Sequence, residues 1–147
     1  MKPIQMISAL VLLVSAAIGG YILATDSILW QDAPTHAYGL IAFVVIDLAL
    51  IGGLWWKPRL ATFGMTLLAL IQLGAMGADA FVGQSVGTTI TTQSFLQKHL
   101  LGDAAFMTLL AVQALLIVIG IAGIVMMRRA PHVDATKPNV PSKTPSA

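Results

Sequence analysis

Four long apolar runs constrain this chain more than any other feature of its sequence. They cover residues 4–24, 37–56, 60–82 and 102–127. An α-helix needs about 20 mostly apolar residues to cross the roughly 30 Å hydrocarbon core of a bilayer. Each run is long enough, and none shows the polar–apolar alternation of a lipid-facing barrel strand. The sequence therefore predicts an all-α polytopic membrane protein, a bundle of four transmembrane helices.

The composition excludes the main soluble classes. Hydrophobic residues make up 57% of the chain and charged residues only 10%, whereas an ordinary soluble domain is about 25% charged. The absence of cysteine excludes a disulfide scaffold and a cysteine-based metal site. No nucleotide-binding or hydrolase motif is recognisable. We therefore expect a lipid bilayer around the protein, no nucleic-acid partner, and no catalysis by the chain on its own.

The chain divides into a transmembrane domain and a tail. Residues 1–129 contain the four spans, and residues 130–147 are rich in Pro, Ser and Thr. Such a segment has little to bury, so we predict a disordered cytoplasmic tail. Lys2 before an apolar stretch also fits a signal peptide, but Ile22-Leu23-Ala24 is a poor cleavage site. We therefore interpret the first run as a span.

The distribution of basic residues predicts the orientation. Cytoplasmic flanks of membrane helices carry an excess of Lys and Arg. With four spans, seven of the eight basic residues fall on one side and only Lys98 on the other. The seven are Lys2, Lys57, Arg59, Arg128, Arg129, Lys137 and Lys143. We therefore expect a cell-membrane protein with both termini in the cytoplasm.

The second and fourth runs share a short sequence pattern. Residues 36–43 and 99–106 both read H-x-x-G-x-x-A-F, so His36 and His99 occupy the same position in each copy. Both runs cross the membrane in the same direction. This pattern predicts two helical hairpins related by a pseudo-twofold axis along the membrane normal. Coincidence is the alternative, because Gly, Ala and Phe are common in membrane helices.

Helical periodicity places the polar residues of the runs in two layers. A helix turns about 100° and rises 1.5 Å per residue, so polar residues on different runs can be compared in depth and facing. The predicted middle layer holds Asp47, Gln72 and Gln113. The predicted outer layer holds His36, Asp79, His99 and Asp103. Buried polar groups often serve as interhelical hydrogen bonds, and a protonated Asp47 bonded to Gln72 or Gln113 suits that role. The outer groups are either solvated or functional.

Four hypotheses about function fit these features. The leading hypothesis is a non-catalytic accessory or structural subunit of a larger, energy-transducing membrane complex, with other subunits or further copies of the chain as partners. Small residues spaced to bring helices close, such as Gly120 and Gly123, indicate tight packing, either within the bundle or against a partner.

The alternatives use the polar layers. His36 and His99 are candidate axial ligands of a b-type haem. Together with Asp79 and Asp103, they are also candidates for a metal or quinone site, because His and carboxylate groups suit zinc, copper or iron. Asp47 is the candidate proton site of a small proton-coupled transporter.

Overall fold

The computed structural model describes residues 3–78 and 97–129. These residues form the helices α1 (Pro3–Thr25), α2 (Ser27–Asp32), α3 (Pro34–Trp56), α4 (Pro58–Gly77) and α5 (Ala104–Arg129). Residues 97–102 are helical as well, and Asp103 separates them from α5. The predicted tail, residues 130–147, lies outside the described residues.

Four of these helices are long and apolar enough to cross a membrane. They are α1, α3, α4 and α5, with mean hydropathies from 1.6 to 2.7 over their most apolar windows. In the described part of the chain there is no strand. The chain is therefore an all-α membrane protein with four spanning helices, as the apolar runs predict.

The four long helices close into a ring. α1 packs against α3 and α5, and α4 packs against the same two helices. Successive long helices run antiparallel, so α3 and α5 run in the same direction across the diagonal of the ring. The predicted twofold axis would require α3 and α5 to lie diagonally and to run in the same direction. The repeat of two helical hairpins itself stays a prediction.

Proline and aspartate set the helix boundaries. Pro34 and Pro58 occupy the first turns of α3 and α4, where the missing N–H group costs nothing. α3 therefore begins three residues before the predicted start of the second span. Asp26 caps the short α2, which the hydropathy pattern does not predict: its Oδ1 accepts a hydrogen bond from the Leu29 amide at 3.0 Å. The predicted end of the third span at Val82 lies outside the described residues.

Two apolar clusters fill the bundle. The first lies toward the Lys57 turn and has Leu12, Leu54, Ala61, Met65, Ala69 and Leu116 at its centre. The second lies toward Asp26 and includes Ile22, Leu40, Met76, Phe106, Leu109 and Leu110. We refer to them as the Lys57-end cluster and the Asp26-end cluster.

Candidate functional site: a polar layer in the bundle

One buried polar side chain from each spanning helix lies between the two apolar clusters. These four side chains form what we call the polar layer: Ser15, Asp47, Gln72 and Gln113. Their exposed fractions are 2%, 2%, 2% and 1%. In sequence, each lies between residues of its own helix that belong to opposite clusters, as Gln72 does between Ala69 and Met76. The layer is therefore shielded by apolar side chains toward both ends of the bundle.

Ser15 links three helices within this layer. Its hydroxyl group donates a hydrogen bond to Asp47 Oδ2 at 2.6 Å. The same Ser15 oxygen accepts a hydrogen bond from Gln113 Nε2 at 2.8 Å. The result is a directed chain from Gln113 on α5, through Ser15 on α1, to Asp47 on α3.

Three oxygen atoms of the layer have no hydrogen-bond partner within residues 3–78 and 97–129. They are Asp47 Oδ1, Gln72 Oε1 and Gln113 Oε1. Buried polar atoms are nearly always paired, because an unpaired one costs about 1–3 kcal/mol. Three unpaired buried oxygens on three spanning helices are therefore an unusual concentration of such atoms.

Asp47 is the ionisable member of the layer. Taken as a whole residue, it is the only buried ionisable residue in the described part of the chain. The Asp26 side chain is 7% exposed but lies against His99 at the end of the bundle. The one hydrogen-bond donor to Asp47 within the described part is the neutral Ser15 hydroxyl. Chemically, the layer presents a carboxyl group and two amide oxygens, and no positive side chain is buried beside them among the described residues.

Sequence periodicity places Asp47, Gln72 and Gln113 in a middle layer, and the structure buries all three. Periodicity does not identify Ser15, whose hydroxyl group connects Gln113 to the Asp47 carboxyl group by two hydrogen bonds. The sequence gives only a weak signal for this role. Ser15 is a mid-span serine in an apolar run, and the hydroxyl groups of such serines commonly bond within their own helix. Ser8 does so, donating to the Ile4 carbonyl oxygen at 2.8 Å.

The residues of the predicted outer layer have separate surroundings. His99 Nε2 lies 2.9 Å from Oδ2 of Asp26, and their side chains are 27% and 7% exposed. Asp103 caps α5, because its Oδ1 accepts a hydrogen bond from the Ala105 amide at 2.8 Å. Nδ1 of His36 lies 3.4 Å from the Thr35 hydroxyl oxygen. Asp79 lies outside the described residues.

This geometry bears on the candidate ligands. Nε2 of His99, a nitrogen that would bind iron, faces a carboxylate in this structure. His36 lies within α3, whereas His99 precedes the break at Asp103, so the two histidines of the predicted repeat differ in local structure. Within residues 3–78 and 97–129, no three His, Asp or Glu side chains are grouped to hold a metal ion.

Comparison with known proteins adds no relative to this description. No family model, no curated protein and no solved structure matches the chain. The fold and the polar layer thus define it as a small polytopic all-α membrane protein with a buried carboxyl-centred layer.

Proposed function

We propose that the protein is a non-catalytic subunit of a larger membrane assembly and that it contacts its partner through α3. The outward face of α3 carries this proposal. Only 22% of its most apolar window is buried inside the bundle, the lowest share among the four described spans. A large part of this helix is therefore available to another membrane protein.

Small residues make this face suitable for close helix packing. Ala42, Ala49 and Gly52 are exposed and fall on one side of α3 with Val45. A Cβ atom built at Gly52 meets no atom within 4 Å. Small side chains let two helix backbones approach closely, which favours association in a bilayer, where no hydrophobic force acts between helices.

A bulky substitution on this face tests the proposal. Gly52→Leu points into open space, so the bundle should fold while the face is blocked. Ala114→Leu is the matched control, because Ala114 is exposed on α5, across the ring from α3. Complexes would be extracted from native membranes with mild detergent and sized by native electrophoresis and light scattering.

We expect the wild type and Ala114→Leu to run in an assembly well above the 15.5 kDa chain, and Gly52→Leu to be released from it. The measured mass separates a homo-oligomer from a hetero-complex. A wild-type chain that is monomeric in mild detergent, and that forms no cross-linked product in native membranes, would overturn the proposal.

The haem alternative has its own direct test. A reduced-minus-oxidised absorption spectrum of the purified protein would show a sharp α-band if His36 and His99 hold a b-type haem. That band must vanish in His36→Ala or His99→Ala. The pairing of His99 with Asp26 is the reason we place this function second.

A further inference from the structure

We propose that the polar layer is a binding site for one exchangeable monovalent cation, either H⁺ or Na⁺, with Asp47 Oδ1 as the principal ligand. Gln72 Oε1 and Gln113 Oε1 supply further oxygens. This inference goes beyond a subunit role and rests on different residues. It does not depend on whether α3 binds a partner.

The charge of the Asp47 carboxyl group is the first reason to expect a bound cation. An ionised carboxylate away from water is costly unless a positive charge compensates it. Among the buried residues of the described chain, none is basic. The Ser15 hydroxyl gives Asp47 a hydrogen bond but no charge. A cation from solution is therefore needed to neutralise the group, and a bound proton is the simplest one.

Only one of the two Asp47 carboxyl oxygens remains available to bind a cation. Ser15 donates to Oδ2 of Asp47, which occupies that oxygen as an acceptor. Oδ1 has no partner. A proton on Oδ1 would turn that atom into a donor, and Na⁺ would meet a free carboxylate oxygen there. The two cations thus compete for one atom.

Two glutamine amide oxygens complete the proposed site. The Gln113 amide nitrogen is used by Ser15, which leaves Oε1 without a partner. Gln72 Oε1 is unpartnered as well. Both are acceptors, so they can accept a hydrogen bond from a protonated carboxyl group or act as hard oxygen ligands for Na⁺. Together with Asp47 Oδ1, they give the layer three acceptor oxygens without a partner among the described residues, and a bound cation would satisfy them.

Infrared spectroscopy of the full chain in lipid nanodiscs tests the site. A protonated carboxyl group in apolar surroundings has its own carbonyl stretch, and the band absent from Asp47→Asn identifies Asp47. Asp32→Asn is the matched control, because Asp32 is exposed at the end of α2. Spectra would be recorded from acidic to alkaline pH in buffers containing Na⁺ or only a large organic cation.

Loss of the Asp47 band on adding Na⁺ at constant pH would show sodium binding. Loss on raising the pH alone, with no effect of Na⁺, would show exchangeable proton binding. A band that never changes would mean a permanently neutral carboxyl group and would overturn the proposal. A band absent under every condition, sodium-free acidic buffer included, would overturn it too.

A second variant covers the case in which Asp47→Asn fails to fold. Gln72→Leu removes one amide oxygen but keeps the bonds of Ser15 to Asp47 and Gln113. We expect the H⁺ or Na⁺ concentration at half-occupancy to rise about tenfold. Gln31→Leu, at an exposed glutamine of α2, should leave it unchanged. Equal values in Gln72→Leu and the wild type would remove Gln72 from the site and contradict the ligand set proposed.

Discussion

Ser15 donates a hydrogen bond to the Asp47 carboxyl group across 2.6 Å, from α1 to α3, at a level shielded by apolar clusters on both sides. The bond joins residues 32 positions apart in the sequence. It fixes the relative depth of two neighbouring spans, because a shift of either helix by one residue would separate the two groups. A polar contact of this kind specifies register as well as stability.

Ser15→Ala should destabilise the bundle by about 1–2 kcal/mol. Interhelical hydrogen bonds in membranes contribute about 0.6 kcal/mol on average, but this change removes one partner each from Asp47 and Gln113 and leaves both buried. The free energy of unfolding in mixed micelles measures the effect. Thr108→Ala is the control, because that exposed hydroxyl bonds only within α5, and it should change stability little. An equal effect of both variants would mean that the Ser15 bonds add no stability.

Gly120→Ala should destabilise the packing of α4 against α5. A Cβ atom at this position would overlap Oγ1 of Thr66 and lie 3.0 Å from its Cβ. Overpacking of this kind costs about 1–3 kcal/mol. Combining Gly120→Ala with Thr66→Ala should recover much of the loss, which a double-mutant cycle in the same unfolding assay would measure.

Gly74→Ala is the matched control for that cycle. No atom lies within 4 Å of a Cβ built there. Replacing a helical Gly by Ala without a clash should be neutral or stabilise by up to about 1 kcal/mol. Similar losses in Gly74→Ala and Gly120→Ala would show that the Thr66 contact is not the cause.

The four spans and the burial of Asp47, Gln72 and Gln113 are accessible from sequence because both depend on local pattern. Apolar length predicts the spans, and helical periodicity places polar residues by depth. The role of Ser15 is not accessible in this way, since a serine in a span bonds equally well to its own helix. Ser15 bonds to another helix only because Asp47 lies opposite it on α3.

The contact between Asp26 and His99 shows the same limit at the end of the bundle. The two residues are 73 positions apart, and their approach depends on the order of the helices around the ring. Periodicity predicts the depth of each residue and the face of the helix on which it lies, but it does not predict which residue of another helix it contacts. The shared pattern of residues 36–43 and 99–106 predicts equivalent positions for His36 and His99, yet the helix break at Asp103 gives His99 a different local structure.

Asp26→Ala should loosen α2 more than His99→Ala does. Asp26 caps α2 through its Oδ1 and pairs with His99 through its Oδ2. Loss of an N-cap costs about 0.5–2 kcal/mol, whereas a partly exposed contact between a histidine and a carboxylate contributes no more than an exposed ion pair, about 0–1 kcal/mol. Hydrogen exchange of the α2 amides measures both. Faster exchange in His99→Ala than in Asp26→Ala would show that the pair, and not the cap, holds α2.

Single cysteines should report the two ends of the bundle on opposite sides of the membrane. The chain contains no cysteine, so each introduced thiol gives an unambiguous signal and the wild type is the blank. Gln31→Cys and Lys57→Cys lie at exposed positions near opposite ends of α3. Because seven of the eight basic residues are predicted on the Lys57 side, that side should face the cytoplasm. On intact cells, a membrane-impermeant maleimide should label Gln31→Cys and should label Lys57→Cys only after permeabilisation. The reverse pattern would place the termini outside, and labelling of neither without permeabilisation would contradict a location in the cell membrane.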